Sequence, residues 1–250
     1  ERAMRTLALT TLAALLLAGC GDGGNGGDST PDSTATLVEF TESEQGRAPY
    51  ASRAIVTDRW LRIDFGPEAP DYMLLDREEE TVYNIVPRDQ TVLVIESGEV
   101  PEEPPEALDL AATSEAMGEG APALEGRRAR HHEFSAGGET CYQALVVPGL
   151  LPDVRAAMGE FLDVMAGEHA RVLDRLPEGS RTACDLADDI FATGRQWEAG
   201  MPVMEWHPDG TRRELVDYQR DWEAAPELFR IPEGFERYSP SDVGSLAPQG

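Results

Sequence analysis

The feature that most constrains this chain is a series of short segments, beginning at Leu37, in which apolar and polar residues alternate. Val38 and Phe40 alternate with polar neighbours, and Leu61 and Ile63 do the same. Such alternation is typical of a strand that buries one face. Further strands are predicted at Tyr72 to Leu75, Thr81 to Val86 and Thr91 to Ile95. Because the connections between these segments are short and charged, neighbouring strands are predicted to be antiparallel.

The second half of the chain adds further strands. The predicted segments are a hairpin of Arg128 to Phe134 with Thr140 to Val147, a pair at Met201 to His207 and Thr211 to Tyr218, and a strand-like Leu228 to Ile231. The sequence Pro208-Asp209-Gly210 between the paired strands is a strong turn signal. Ala107 to Ala123 is rich in small residues and is predicted to be flexible and partly helical.

One long amphipathic helix is predicted from Asp153 to Leu176. Apolar residues recur there at intervals of three and four, and Pro152 and Pro177 bracket the segment. Strands, one helix and further strands favour an α+β fold, in which a curved antiparallel sheet packs one face against the helix. A doubly wound parallel fold would need several such helices.

The N-terminal residues have the pattern of a secretory signal. Arg5 precedes an apolar run from Leu7 to Leu17, and the small residues Ala18 and Gly19 follow. The run is shorter than the roughly 20 residues that a membrane-spanning helix needs, so a transmembrane anchor is the weaker interpretation.

The tetrapeptide Leu17-Ala18-Gly19-Cys20 resembles the lipobox of bacterial lipoproteins, where cleavage exposes a cysteine that receives acyl chains. The resemblance implies a signal peptide over residues 1–19 and a lipid anchor on Cys20; the alternative is an ordinary signal peptide that contains a cysteine. Residues 20–36 are rich in Gly, Asp, Ser and Thr and are predicted to form a flexible tether. Gly21 stands where the enteric sorting rule reads aspartate as an inner-membrane retention signal, so it favours the outer membrane, with the protein facing the periplasm; Asp22, the next residue, leaves the inner membrane as the alternative.

Cysteine usage agrees with such a compartment. Besides Cys20 the chain has only Cys141 and Cys184. In an oxidising compartment, these two cysteines are predicted to form a disulfide. The alternative is a pair of buried free thiols or a reactive cysteine, although no neighbouring residue supports a reactive thiol.

Charge and composition exclude several functions. The chain has 21 basic and 47 acidic residues, a formal charge of −26, which would repel nucleic acid. Every basic residue is Arg, so a P-loop lysine, a Schiff-base lysine and a pyridoxal phosphate anchor are all excluded. The densest basic cluster, Arg127, Arg128 and Arg130, is interpreted as a solvated or salt-bridged strand, with an anionic head group as the alternative.

No catalytic or metal motif is evident. The chain lacks HExxH, CxxC and GxSxG patterns, and His131 and His132 are adjacent strand residues whose side chains should point to opposite faces. His169 lies within the predicted helix, where a half-buried structural role is expected. We therefore expect no enzyme, no cofactor and no metal site.

A family resemblance is carried by the segments LVEFTESE, RAIVTDRWLRIDFG, DYMLLDREEETVYNIVPRDQTVLVI and LFRIPEGFERY, the last at Leu228 to Tyr238. With the lipoprotein-like start, these segments resemble the superfamily typified by LolA, LolB and RseB, and in particular an uncharacterised branch in which a cysteine pair flanks the central helix. The resemblance covers residues 37–240 and leaves residues 241–250 as a disordered tail. It implies an unclosed half-barrel that holds acyl chains or other apolar ligands, with the helix on its concave face.

Three functional hypotheses follow from these observations. The first is a membrane-anchored periplasmic lipoprotein that binds an apolar ligand between sheet and helix, with Trp60, Phe161, Met165 and Trp206 as the candidate contacts. The second is a protein-interaction or sensing module of the envelope with no ligand. An unrecognised enzyme is the third.

Overall fold

The computed structural model describes residues 34–67, 69–118, 120–173, 177 and 179–245. The predicted signal peptide and Cys20 lie outside these residues, as does the predicted end of the helix at Leu176. Within the described residues, no helix combines the length and the apolar character that crossing a membrane requires.

In the described part of the chain, twelve strands form one sheet that does not close into a barrel. The strands are β1 (Thr34–Ser43), β2 (Tyr50–Val56), β3 (Trp60–Asp64), β4 (Tyr72–Asp76), β5 (Thr81–Val86), β6 (Thr91–Glu96), β7 (Ala111–Ala116), β10 (Arg130–Ala136), β11 (Glu139–Val147), β12 (Met201–Trp206), β13 (Arg212–Glu223) and β14 (Glu236–Tyr238). A separate two-stranded ribbon consists of β8 (Ala123–Leu124) and β9 (Arg127–Arg128).

The sheet joins two meanders through β1. Its order is β14-β6-β5-β4-β3-β2-β1-β13-β12-β11-β10-β7. Every pair is antiparallel except β14 with β6, so the sheet is mixed. The predicted α+β class with one long helix is confirmed.

The long helix, α1 (Pro152–Leu173), packs against strands of the N-terminal meander. Proline suits a first helical turn because its missing N–H has no partner there. Asp153 lies in that turn, where the helix dipole favours a carboxylate, and its Oδ2 accepts a hydrogen bond of 2.5 Å from Thr36 Oγ1. A Cβ on Gly167 would lie 2.5 Å from the carbonyl oxygen of Gly98, so glycine is what lets the helix approach the loop after β6.

Short helical segments extend this layer over the C-terminal meander. They are α2 (Ala183–Leu186), a π-helical turn (Ala187–Phe191) and α3 (Arg195–Ala199). A 3-10 turn (Pro226–Phe229) and α4 (Pro240–Ser245) follow later in the chain. The capping box of Thr182 with Asp185 fixes the start of α2.

The described residues form three buried clusters, one on each face of the N-terminal meander and a third, which includes Phe134, Tyr142 and Ile190, beneath the short helices. On the helix face, Val38, Leu61 and Leu75 are buried against residues of α1 such as Val154. On the opposite face of the sheet, a C-terminal segment, residues 224–235, packs against the strands. The buried residues of the strands and of this segment form a second cluster. The members of that second cluster include Ile55, Leu74, Ile85, Val92, Ala224 and Phe229.

Several boundaries differ from those predicted. Residues Thr34–Thr36 belong to β1 and not to the tether, and residues 241–245, the start of the predicted disordered tail, belong to helix α4 (Pro240–Ser245). Ala111–Ala116, predicted to be flexible and partly helical, is strand β7. The strand predicted at Leu228 to Ile231 was wrong: this region begins with a 3-10 turn, and its strand lies later, at β14. These segments take their structure from distant partners, which local patterns do not reveal.

Candidate functional site

The four predicted ligand contacts do not come together. Phe161 and Met165 of α1 and Trp206 of β12 all border the helix-side core cluster. Trp60 borders the cluster of the opposite face, beside the C-terminal segment. The Trp206 ring instead stacks on His131, with ring centroids 5.7 Å apart.

The predicted disulfide is present. The sulfurs of Cys141 and Cys184 are 2.09 Å apart and link β11 to α2 across a sequence separation of 43. The bond fastens the short helical segments to the C-terminal meander. Joined in this way, the two cysteines offer no reactive thiol.

The neighbouring histidines diverge, as strand geometry predicts. His131 Nε2 lies 2.9 Å from Gln143 Oε1, whereas His132 Nε2 lies 3.2 Å from Ser114 Oγ. His169 Nδ1 lies 3.1 Å from the carbonyl oxygen of Asp189, a contact between α1 and the π-helical turn. Among the described residues, no group of three or more His, Cys, Asp and Glu side chains is placed to hold a metal ion.

An apolar groove of about 270 Å³ lies where β11, β12 and β13 meet the loop that leads into β8. Two adjacent strands bulge there. Because Phe40 pairs with Leu215 and Glu39 with Asp217, Val216 is the extra residue of β13. The groove is lined by Pro122, Leu124, Leu145, Val203, Met204, Glu214, Leu215, Val216, Asp217 and Tyr218.

The second bulge lies in β12. Leu145 pairs with Met204 and Val146 with Pro202, so Val203 is the extra residue. Bulges turn side chains out of the regular alternation. Val216 is 64% exposed, whereas Val203 is 8% exposed and belongs to the helix-side core cluster. The groove therefore lies where two bulges interrupt the regular strands, and only the bulge of β13 exposes its extra side chain.

The hairpin of β8 and β9, residues 123–128, forms one wall of the groove. Its two-residue turn is Glu125-Gly126, with φ of 51° and 74°. Two positive φ values define the type I′ turn that suits a tight hairpin, and glycine accepts this geometry without strain. Leu124, immediately before the turn, contributes its side chain to the groove lining.

The tip of this hairpin is attached to β13 through one carboxylate. Glu125 accepts hydrogen bonds from both terminal nitrogens of Arg220, from Tyr218 Oη at 3.0 Å and from Arg127 Nη1 at 3.0 Å. These bonds, that from Arg220 foremost, hold the pKa of the Glu125 carboxyl below its ordinary value. The attachment site lies at the rim of the groove, because Tyr218 belongs to both.

A polar cluster lies between the short helices and the sheet, and each of its carboxylates faces a cation or a histidine. The ion pairs are Arg195–Asp188 at 2.8 Å, Arg213–Glu42 at 2.8 Å and His207–Glu205 at 3.2 Å. Burial raises the pKa of Asp188, whereas at Glu205 the hydrogen bond from His207 and the charge of Arg213 outweigh burial and lower the pKa. Tyr142 donates to Gln196 Oε1 at 2.8 Å, and burial raises the pKa of its phenol. Paired in this way, the cluster joins the helical layer to β11, β12 and β13.

The groove was not predicted from the sequence. One signal was present: Leu215 and Val216 are adjacent apolar residues in a predicted strand, so only one of them can face the buried side. Nothing local connects Glu125 with Arg220, which is 95 positions away.

Comparisons with known proteins identify no family for this chain. No protein family matches it, and neither does any curated protein. Among solved structures, it is similar to an uncharacterized conserved protein from Thermus thermophilus, with a TM-score of 0.42 and 12% identity over 83% of this chain and 91% of that one. It is also similar to PNGF-II, with a TM-score of 0.43 and 8% identity over 85% of this chain, which spans 32% of PNGF-II. With both TM-scores under 0.5, we draw no functional argument from either protein.

Proposed function

We propose that this chain is a lipoprotein of the bacterial cell envelope, anchored through Cys20 to the outer membrane and facing the periplasm, that binds the acyl chain of an amphiphile in the groove beside β13. The observation that carries the proposal is the apolar lining of this groove. In a chain of net charge −26, Val216 is exposed there, and Met204, Leu215 and Leu124 are half-buried. A concave, mostly apolar surface of this kind favours a binding site.

The size and composition of the groove favour a slim ligand. Its volume of about 270 Å³ is slightly below the roughly 300 Å³ at which small-molecule sites usually begin. A single hydrocarbon chain fits such a space and loses contact with water along its length, a gain of about 0.8 kcal/mol for each buried methylene. This location differs from the space under α1 that the sequence predicts for the ligand.

The lipid anchor is tested separately from the ligand. In bacteria that express the full chain, labelled palmitate should be incorporated, and replacing Cys20 with Ser should abolish the label and release the protein from the membrane fraction. A Cys20→Ser protein that stays in the membrane fraction would overturn the anchor. The disulfide supports this part of the proposal, because such bonds persist in oxidising compartments.

The groove is tested by displacement of a neutral fluorescent probe, N-phenylnaphthylamine, from mature protein that carries Cys20→Ser. Decanol should displace the probe from this protein, and Val216→Asp should weaken decanol binding about tenfold or more, because the new charge would have to be desolvated. The matched control is Leu110→Asp, another exposed apolar residue, 48% exposed, which should leave binding unchanged. Equal effects of the two substitutions would contradict the groove as the site.

A second function, docking of an extended segment of an envelope protein, is favoured by β7. Within the described part of the chain, this strand forms one edge of the sheet, pairs with β10 alone among the strands, and has six exposed residues. Edge strands can receive an added strand from a partner. Crosslinking in cells through a photoreactive residue at Thr113 should recover one stoichiometric partner under this hypothesis, and recovery of none would reject it.

A further inference from the structure

The carboxylate of Glu125 occupies a small site made for a carboxylate. Arg220 approaches it with two nitrogens, Arg127 with one, and the Tyr218 hydroxyl completes the set. A guanidinium that offers two donors matches the two oxygens of a carboxylate better than any other side chain does. The donors of Arg220, Arg127 and Tyr218 therefore match the shape and charge of a carboxylate.

Three arginines lie at one end of the groove. Arg127 and Arg220 share one glutamate, and the exposed Arg128 lies next to them along the hairpin. Their guanidinium groups offer paired donors to an anion at the rim, while two carboxylates, Glu214 and Asp217, line the groove itself.

The two sites are continuous. Leu124 lines the apolar groove and the next residue, Glu125, holds the arginines, while Tyr218 lines the groove and also donates to Glu125. An amphiphile whose chain lies in the groove would therefore bring its head group to the position that Glu125 holds.

We propose that Arg220, Arg127 and Tyr218 form the head-group subsite of a carboxylate amphiphile, such as a fatty acid, and that Glu125 occupies this subsite when no ligand is bound. The inference rests on the proposed binding of an acyl chain in the groove. Ligand binding exchanges one carboxylate for another, so the donors keep their hydrogen bonds while Glu125 passes into water. The direct link between Glu125 and β13 is lost in the same step, while Arg127 of the same hairpin stays with the ligand.

The test compares decanoate with decanol in the probe-displacement assay on the mature Cys20→Ser protein. Glu125→Gln removes the competing charge and should tighten decanoate binding about tenfold, because charge-assisted hydrogen bonds are roughly twice as strong as neutral ones. Decanol affinity should change little. The matched control, Glu106→Gln, alters an exposed glutamate elsewhere and should change neither affinity.

Arg220→Gln provides the reciprocal variant. It should weaken decanoate about tenfold and leave decanol unchanged, and higher salt should weaken decanoate alone. If both compounds bind but Glu125→Gln and Arg220→Gln affect them equally, the head-group inference is wrong and the groove proposal stands. If neither compound binds any of these proteins, the proposed function fails and the inference fails with it.

Discussion

The N-terminal meander, β1 to β6, is covered on both faces, whereas the C-terminal meander, β10 to β13, leaves apolar side chains open beside β13. In the first, α1 packs on one face and residues 224–235 on the other. In the second, Val216 is 64% exposed beside two bulges. The contrast separates a half whose sheet is covered on both faces from a half that leaves an apolar groove at its surface.

The cover on the N-terminal meander is fixed by polar contacts as well as by burial. Arg62 donates to the carbonyl oxygen of Leu228 at 2.9 Å and Tyr72 donates to that of Arg230 at 3.2 Å. Arg62 also lies over the Tyr72 ring, 3.8 Å from its centroid. These contacts hold an irregular segment in place that would otherwise have few backbone partners.

The largest effect is expected from the disulfide, which joins α2 to β11 of the C-terminal meander. Replacing Cys141 and Cys184 with Ala should lower the free energy of unfolding by up to about 4 kcal/mol, because a constraint across 43 positions is lost from the unfolded chain. Urea unfolding measures this loss. Reduction of the unaltered protein should reproduce it.

The same variant sharpens the comparison between the halves. Native-state hydrogen exchange should show reduced protection in α2 and β11 first, with β4 and β5 retaining theirs. A uniform loss of protection would mean that the two halves unfold as one unit, against the distinction drawn here.

A pair of leucines tests the contrast in packing directly. Leu74 is 0% exposed beneath the C-terminal segment, whereas Leu215 lines the groove and is half-buried. Leu74→Ala should cost about 3 kcal/mol, and Leu215→Ala less than about 1 kcal/mol, because a cavity forms only at the closed position. Urea unfolding of both variants measures the two losses in the free energy of unfolding. Similar losses would contradict the difference in packing between the two halves.

The third test concerns Asp64, an ion-paired carboxylate whose contribution to stability should depend on pH. Asp64 has a fully buried side chain and accepts bonds from Arg53 at 2.8 and 2.9 Å and from Arg62 at 2.7 Å. Asp64→Asn should cost about 2 kcal/mol at neutral pH, as charge-assisted hydrogen bonds are lost. Asp71→Asn, an exposed control, should cost little.

The sign of the pH effect follows from the pKa of Asp64. Burial raises that pKa, but the bonds and charges of Arg53 and Arg62 outweigh burial and leave it below its ordinary value. The stabilisation is therefore present above the unfolded pKa of about 3.9 and is lost as pH falls through the folded pKa. The difference between Asp64→Asn and the unaltered protein should shrink below about pH 4, and a constant difference would rule out the ion pair as its source.

Local sequence patterns predicted most of the N-terminal meander, but β2 (Tyr50–Val56) was not among the predicted strands. The bounds of β5, Thr81 to Val86, agree with the prediction, and β4 is longer by one residue, Asp76. The long helix also lies where the apolar spacing and Pro152 placed it. These elements bury one face against a core, so their own residues carry the pattern that defines them.

The C-terminal elements and the groove depend on distant residues instead. β7 consists of small and polar residues, AATSEA, and is a strand because β10 supplies its hydrogen bonds. The bulge at Val216 exists only in relation to β1, and the attachment of Glu125 requires Arg220. Such features arise from the tertiary arrangement, which a single sequence does not display.

The smallest effect is expected at two histidines of the C-terminal meander, whose pH dependences should be opposite. A hydrogen bond to Glu205 raises the pKa of His207, so its stabilisation is present below the unfolded pKa of about 6.5 and is lost as pH rises through the folded pKa. Burial, then the charge of Arg130, lowers the pKa of His132, so its contribution is present above the unfolded pKa and is lost as pH falls through the folded pKa. The side chain of His207 is 34% exposed, which limits its contribution to less than about 1 kcal/mol. The melting temperatures of His207→Gln, His132→Gln and the unaltered protein should be measured from mildly acidic to mildly alkaline pH. The differences between each variant and the unaltered protein should change with pH in opposite directions. Parallel curves would show that the pKa of neither histidine changes on folding.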